Sequence, residues 1–216
     1  MSFIELQQIA ERAERAGLQL STAAQRRIAA HASAVIENNA RLKLTTITEP
    51  DLFLERHIGE SLEGAALLDA KVEGTLLDLG SGNGFPALPI LAAHPALRGC
   101  LVDAAKDKSA FLQELLETEF GGGEMIAKQI QRVDDFDGLS QVRLLTTRAM
   151  GNWERILPRL ATLLAPNGIV LLWAGASVAE VADRKAWKRY SLVARHALPG
   201  RQQSWIWAFK PNPSAC

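Results

Sequence analysis

The chain has 216 residues, 48% hydrophobic and 22% charged, with 24 basic side chains balanced by 24 acidic ones. That length accommodates one α/β domain with a sizeable core and a small appendage. Zero formal net charge argues against a free-standing nonspecific nucleic-acid binder, while a local basic patch stays possible. No apolar run is long enough to span a membrane, and Met1-Ser2-Phe3-Ile4-Glu5-Leu6 lacks the basic and apolar regions of a signal peptide. The two cysteines, Cys100 and Cys216, make a disulfide framework improbable and point to a reducing cytoplasm. The four histidines are scattered, with no metal-ligand spacing.

Phe3, Leu6, Ile9, Ala10, Ala13 and Ala16 recur at helical spacing, which predicts a helix over residues 2–20 ending near Gly17. Ser21 is the N-cap of a second, running to about residue 40. Pro50 opens a third that carries Leu52, Phe53, Arg56, His57, Ile58 and Leu62. Residues 1–70 therefore read as an N-terminal helical cap and 71–216 as a separate unit. In the second unit strands alternate with helices, the pattern of a doubly wound sheet. Strands are expected near 75–80, 99–103, 124–128, 142–147, 168–173, 189–195 and 204–209. A helix is expected over 151–164, stopped by the turn signal Ala165-Pro166-Asn167-Gly168. Pro199-Gly200 makes the last two strands an antiparallel hairpin. The tail Pro211-Asn212-Pro213-Ser214 is expected to fray.

The densest signal is Asp78-Leu79-Gly80-Ser81-Gly82-Asn83-Gly84-Phe85-Pro86. An apolar strand delivers an acid and then three glycines at alternate positions, followed by a proline suited to a first helical turn. The spacing is D-x-G-x-G-x-G and not the G-x-G-x-x-G of a dinucleotide site. Asp78 would repel a phosphate and suits an ammonium. Asp103 follows 25 residues later, at the end of a second apolar run, where a carboxylate can meet a ribose hydroxyl. This pattern resembles the first motif of the class I S-adenosylmethionine-dependent methyltransferases. That resemblance implies a seven-stranded, mostly parallel Rossmann-like α/β sheet ending in a hairpin. It also implies that the loop wraps the methionine end while Asp103 binds the ribose.

Further segments resemble one family, the small-subunit ribosomal RNA guanine-N7 methyltransferases called RsmG or GidB. Asn39-Ala40-Arg41-Leu42-Lys43-Leu44-Thr45 is similar to its N-x-x-x-N-L-T segment, with Lys43 in place of the second Asn. Arg56-His57-Ile58-Gly59-Glu60-Ser61-Leu62 is similar to R-H-I-x-D-S-L. Arg132-Val133-Asp134 resembles R-V/A-E, with Asp for Glu, and Thr147-Arg148-Ala149 resembles S-R-A. The segments occur in order between residues 35 and 173. Ala87 stands where the family has glycine, and Trp173-Ala174-Gly175 lacks its strand-five lysine.

The resemblance implies S-adenosylmethionine as cofactor and ribosomal RNA, or the small ribosomal subunit, as partner, with no membrane association. The chain is expected to act as a monomer. Cofactor contacts are expected from Asp78, Gly80, Gly82, Gly84, Phe85 and Asp103. Val133 and Asp134 flank the adenine by resemblance. Arg148, just past the fourth apolar run at the ligand-binding edge of the sheet, contacts cofactor or substrate. Arg56 and His57 could line the pocket mouth. RNA binding would need Arg12, Arg15, Arg26, Arg27, Arg41 and Lys43 to converge with Lys106 and Lys108. Guanine N7 carries a lone pair and no proton, so methylating it needs no general base. Two other readings stay open: a methyltransferase acting on a small molecule or protein, and a non-catalytic cofactor-binding module.

Overall fold

The computed structural model describes residues 3–126, 129, 133–136 and 138–212. Helix α1 (Leu6–Arg15) buries Ile9, Arg12 and Ala13 and ends before Gly17 at φ 83°. The Ser21 hydroxyl accepts the Ala24 N–H at 3.2 Å, capping α2 (Thr22–Leu42) as its sequence predicts. Helix α2 closes on Lys43 in the left-handed region, φ 51°, where an asparagine would be less strained. Pro50 starts α3 (Pro50–Phe53), whose first N–H groups are taken by the Glu49 carboxylate. The same rod continues through a π-helical segment, Leu54–Gly59, into α4 (Glu60–Ala66). A π turn inside a helix is rare and frequent at functional sites; this one carries Arg56 and His57.

Seven strands follow: β1 (Gly74–Leu79), β2 (Leu97–Val102), β3 (Glu124–Ile126), β4 (Val142–Arg148), β5 (Leu164–Ala174), β6 (Tyr190–Ala197) and β7 (Trp205–Pro211). They form one sheet in the order β3-β2-β1-β4-β5-β7-β6, parallel from β1 to β5, with β7 antiparallel to both β5 and β6. The mostly parallel sheet with a final hairpin is the fold class read from the sequence. Between strands run α5 (Ala87–Ala93), α6 (Lys106–Thr118), α7 (Trp153–Ile156) and α8 (Val178–Ala182).

Strand side chains alternate between two cores. Leu76, Leu101, Leu144, Leu171 and Ile206 join one core, which also takes Ile9, Ile28, Val35, Phe53, Ile58 and Leu62 from the N-terminal helices. Leu77, Val102, Leu145, Val170, Leu172, Trp207 and Phe209 join the other, under Leu157, Leu160 and Trp187. Burying each such side chain contributes about 1.5–3 kcal/mol. The N-terminal helices are thus welded to one sheet face.

Two local expectations are corrected. The helix expected over 151–164 is one short α turn, α7, followed by a 3₁₀ segment, Leu157–Leu163. Pro158 lies in the first turn of that segment, and its Leu157, Leu160, Ala161 and Leu163 fill the core without a regular helix. The turn at 165–168 is an irregularity inside β5: Leu164 lies opposite Val142, and Ile169 opposite Leu144. A Cβ at Gly168 would come within 2.8 Å of the Val142 carbonyl, so that bulge admits only glycine. The tail is also held further than expected. Pro211 pairs with Tyr190, and the Asn212 N–H donates to the Arg189 carbonyl at 2.7 Å. Pro213, Ser214 and Cys216 lie outside the described residues, as do 127 and 128 of the expected third strand.

Candidate active site

The ends of β1, β2 and β4 open into a cleft of 620 Å³, lined by Thr45, Gly80, Gly82, Phe85, Asp103, Lys108 and Arg148 among others. The loop after β1 is stitched to β2. Gly80 and Ser81 N–H groups donate to the Val102 carbonyl at 2.9 and 3.0 Å. The Ser81 hydroxyl accepts the Val102 N–H and donates to the Asp78 carbonyl, both at 3.1 Å. Asp103 then accepts the Gly82 N–H on Oδ2 and the Ala105 N–H on Oδ1, each at 2.8 Å. Each oxygen keeps a further lone pair for a ligand. Asp103 also borders a smaller pocket of 130 Å³ with Leu79, Val102, Gln129, Met150 and Ile156.

The three glycines have different tasks, although all have positive φ. A Cβ at Gly82 would meet nothing nearer than the Gly80 carbonyl at 3.7 Å. A Cβ at Gly80 would press on Met150 at 3.3 Å. A Cβ at Gly84 would stand 2.8 Å from both His31 Nε2 and Leu88 Cδ1, so that position serves packing and does not line the cleft.

Asp78 also differs from its expected placement. It is 1% exposed, lies behind the loop and is not among the residues lining the cleft. Its Oδ1 accepts the Thr146 hydroxyl at 2.7 Å, while Oδ2 is buried without a partner. Burial pushes its pKa up to about 6, against the hydrogen bond from Thr146 and the charge of Arg148.

Phe85 is buried under the cleft between two histidines. Its ring stacks on His31 (4.2 Å, 28°) and on His57 (4.9 Å, 19°), with the Arg148 guanidinium 6.0 Å from its centroid. His31 Nε2 lies 2.7 Å from the Asn83 carbonyl, an acceptor, so Nε2 carries the proton. Burial pushes the pKa of His31 down to about 4 and that of His57 to about 3, and Arg148 depresses His57 further.

Arg148 ends β4. Its Nη1–H donates to the Arg56 carbonyl and its Nη2–H to His57 Nδ1, both at 3.0 Å. An acceptor Nδ1 leaves the proton on Nε2, which donates to Thr45 Oγ1 at 2.8 Å. Thr45 is in turn clamped by Asn39, whose amide donates to its carbonyl and accepts its N–H, both at 2.9 Å. Ala149, φ 56°, then turns the chain sharply away. Burial pushes the guanidinium pKa down, and Glu60 opposes that. Arg148 also lines a second cavity of 370 Å³, with Arg56, Glu60, Trp173 and Arg201.

Other expected residues stand elsewhere. Asp134 is exposed on a 3₁₀ turn, Val133–Asp135, and lines neither pocket beside Asp103. Of Val133 only the backbone is described, and Arg132 lies outside the described residues. Of the basic set, Lys43 and Lys108 reach the cleft. Arg12 turns inward to Glu55 and Glu63, at 3.1 and 3.0 Å, and Arg15 pairs with Glu55 at 3.0 Å. Sequence reasoning missed Thr146, Thr45, Glu60 and Arg201; Thr45 and Glu60 were at hand inside the quoted family segments.

Comparison with known proteins decides the family. Residues 24–198 match the GidB family model, described as rRNA small subunit methyltransferase G. The chain belongs to the GidB family. It is 30% identical over 199 residues to a ribosomal RNA small subunit methyltransferase G of Sorangium cellulosum, covering 88% of this chain and 82% of that one. It is 31% identical over 155 residues to the protein of the same name from Microcystis aeruginosa, covering 65% of this chain and 66% of that one. Its fold is similar to that of an O-methyltransferase from neocarzinostatin biosynthesis solved with S-adenosylmethionine. The TM-score is 0.57 at 18% identity, over 76% of this chain and 55% of that one. Family and fold agree with the methyltransferase read from the sequence. Among the described residues, no helix is long and apolar enough to cross a membrane.

Proposed function

We propose that the cleft binds S-adenosylmethionine and that this chain methylates N7 of a guanine in small-subunit ribosomal RNA. The observation that carries the reading is Asp103 holding the Gly82 amide at the mouth of a 620 Å³ cleft. The cofactor's chemistry is a methyl group on a sulfonium, ready for a nucleophile with a free lone pair.

The residues present fit that group. Asp103 has lone pairs left for ribose hydroxyls, and the backbone at Gly82 has open space where a Cβ would stand. The slot beside Leu79, Val102 and Ile156 offers apolar faces to an adenine. By resemblance to the family, Val133 and Asp134 flank that adenine. Asp78 fixes the strand end through Thr146 and acts on a nearby ammonium only through the field of its charge.

The chain's remaining task is to orient the base. His57 is neutral, and both its nitrogens are engaged, so it serves as a strut for Arg148 and not as a base. Arg148 presents a fixed, planar donor fork beside the cleft, suited to a base oxygen or a phosphate. In-line placement supplies most of the acceleration where no proton moves. Residues 1–70 form the cap: Lys43, Thr45 and His57 make one wall of the cleft.

Gly82→Val decides the cofactor reading. Its side chain would enter the space kept bare for the ligand, at a φ that β-branched residues avoid. Calorimetry is expected to show S-adenosylmethionine binding lost while circular dichroism is unchanged. Unaltered affinity would reject the assignment.

A further inference from the structure

The second cavity lies across Arg148 from the cleft and is charged very differently. Three guanidiniums line it: Arg56 from the π-helical segment, Arg148 from the end of β4 and Arg201 from the β6–β7 turn. One carboxylate lines it, Glu60. Glu60 Oε1 lies 3.4 Å from Arg201 Nη1 and 3.6 Å from Arg56 Nη1, and Oε2 lies 3.9 Å from Arg148 Nη1. None of these reaches the 2.7–2.9 Å of a close charge-assisted hydrogen bond. His57 is neutral and adds no charge.

The cavity therefore holds a surplus of positive charge that one loosely held carboxylate does not balance. Water screens its inner end poorly, where the Arg148 and Glu60 side chains are 16% and 9% exposed, and reaches Arg201, 40% exposed, at its mouth. Among its other walls Ile47, Trp173 and Leu198 are apolar, and Ser204, which accepts the Arg201 Nε–H at 3.4 Å, is neutral, so they supply no counter-charge. The end of β5, Trp173-Ala174-Gly175, carries no cation, so the third positive charge comes from the hairpin turn through Arg201.

We propose that this cavity is the subsite for a phosphodiester of the RNA substrate, with Glu60 as the resident counter-ion that keeps the three guanidiniums together until phosphate enters. The inference rests on the RNA reading above. Guanidinium forks match phosphate oxygens two at a time, and three of them exceed what one carboxylate can engage. Arg148 faces both cavities, so the bound phosphodiester lies next to the nucleotide presented to the cleft. A purely structural ion network makes the opposite forecast for Glu60: removing it would loosen the arginines and weaken anion binding.

The test is fluorescence anisotropy with a short labelled fragment of small-subunit ribosomal RNA, titrated at several salt concentrations. Arg201→Ala should weaken binding about tenfold and flatten the log–log salt slope by about 0.7. Arg201 is 40% exposed, so the variant should fold, and its S-adenosylmethionine affinity should be unchanged. Glu60→Gln should tighten RNA binding and steepen the slope. The proposal is overturned if Arg201→Ala leaves affinity and slope alone, if Glu60→Gln weakens binding, or if the wild-type chain does not bind the fragment. Methyl incorporation from labelled cofactor separates the two readings. A wild-type chain that binds cofactor but methylates no RNA removes the RNA assignment. One that methylates RNA, with Arg201→Ala unchanged in KM and slope, removes the phosphate subsite alone.

Discussion

The two walls of the cleft are built from different materials. One is backbone: the end of β1, a loop with glycines at 80 and 82 over a packed Gly84, and Asp103 tying that loop to β2 through a Gly82 N–H. Nearly all of it comes from one short stretch of chain. The other wall is side chains brought from afar: Arg148 meets the Arg56 carbonyl across 92 positions, and His57 meets Thr45 across 12. The backbone wall is set by sterics and is indifferent to protonation. The side-chain wall depends on which histidine nitrogen holds a proton, so pH and charge act on it. Perturbing each wall should therefore give a different signature.

The largest effect is expected in the loop that carries the backbone wall, and it separates two glycines that look alike in sequence: Gly82 on the cleft and Gly84 packed beneath it. Gly84→Ala puts a methyl 2.8 Å from His31 and Leu88 at φ 87°. Overpacking and left-handed strain together should cost about 3–4 kcal/mol. Gly82→Ala meets open space and should cost only about 1 kcal/mol, from backbone strain alone. Denaturant unfolding of both variants checks this; equal losses would mean that the loop glycines are interchangeable.

The histidines under the cleft give a pH signature of similar size. His31 is pushed from 6.5 down to about 4 and His57 to about 3. Below pH 6.5 the unfolded chain takes up protons that the folded chain refuses. The stability present above pH 6.5 is therefore lost as pH falls toward the folded values. Asp78 opposes this: raised from 3.8 to about 6, it favours the folded state as pH falls through that window. Two histidines outweigh one acid, so the unfolding free energy should fall between pH 7 and 4. His31→Gln should remove about 3 kcal/mol of that fall by pH 4. A variant with the wild-type slope would show that His31 does not resist protonation.

What could be read from sequence follows the same division. The glycine loop and Asp103 were legible because positive φ, close approach and strand-to-strand spacing leave local marks. Ser21 and Pro50 were legible for the same reason. For Asp78 the sequence shows the acid at the strand end, while its burial behind the loop is a tertiary fact. Residues 151–164 misled because Leu157, Leu160 and Leu163 suit an α-helix and a 3₁₀ segment equally. Pro166-Asn167-Gly168 reads as a turn, yet here it is a bulge that the Val142 carbonyl forces on Gly168. Glu60 and Arg201 converge over 141 positions and leave no local mark.

Arg148→Lys is the smallest change and the sharpest probe of the side-chain wall. The arginine spans two fixed acceptors, the Arg56 carbonyl and His57 Nδ1, with separate N–H groups, and faces Glu60 at 3.9 Å. Two other acids are engaged or placed elsewhere: Glu154 binds Arg184 at 3.1 Å, and Asp134 is exposed on its own turn. A lysine would keep the charge near Glu60. Its ammonium is a point donor without the planar fork, so it cannot hold both acceptors and present a fixed edge to substrate at once. The fold should survive, because the charge and the Phe85 stack on His57 remain. Methyl transfer should fall about a hundredfold through lost positioning, with cofactor affinity unchanged. Wild-type turnover on small ribosomal subunits would make Arg148 a structural tie only. An unfolded variant would show that the two 3.0 Å bonds hold the cap to the sheet.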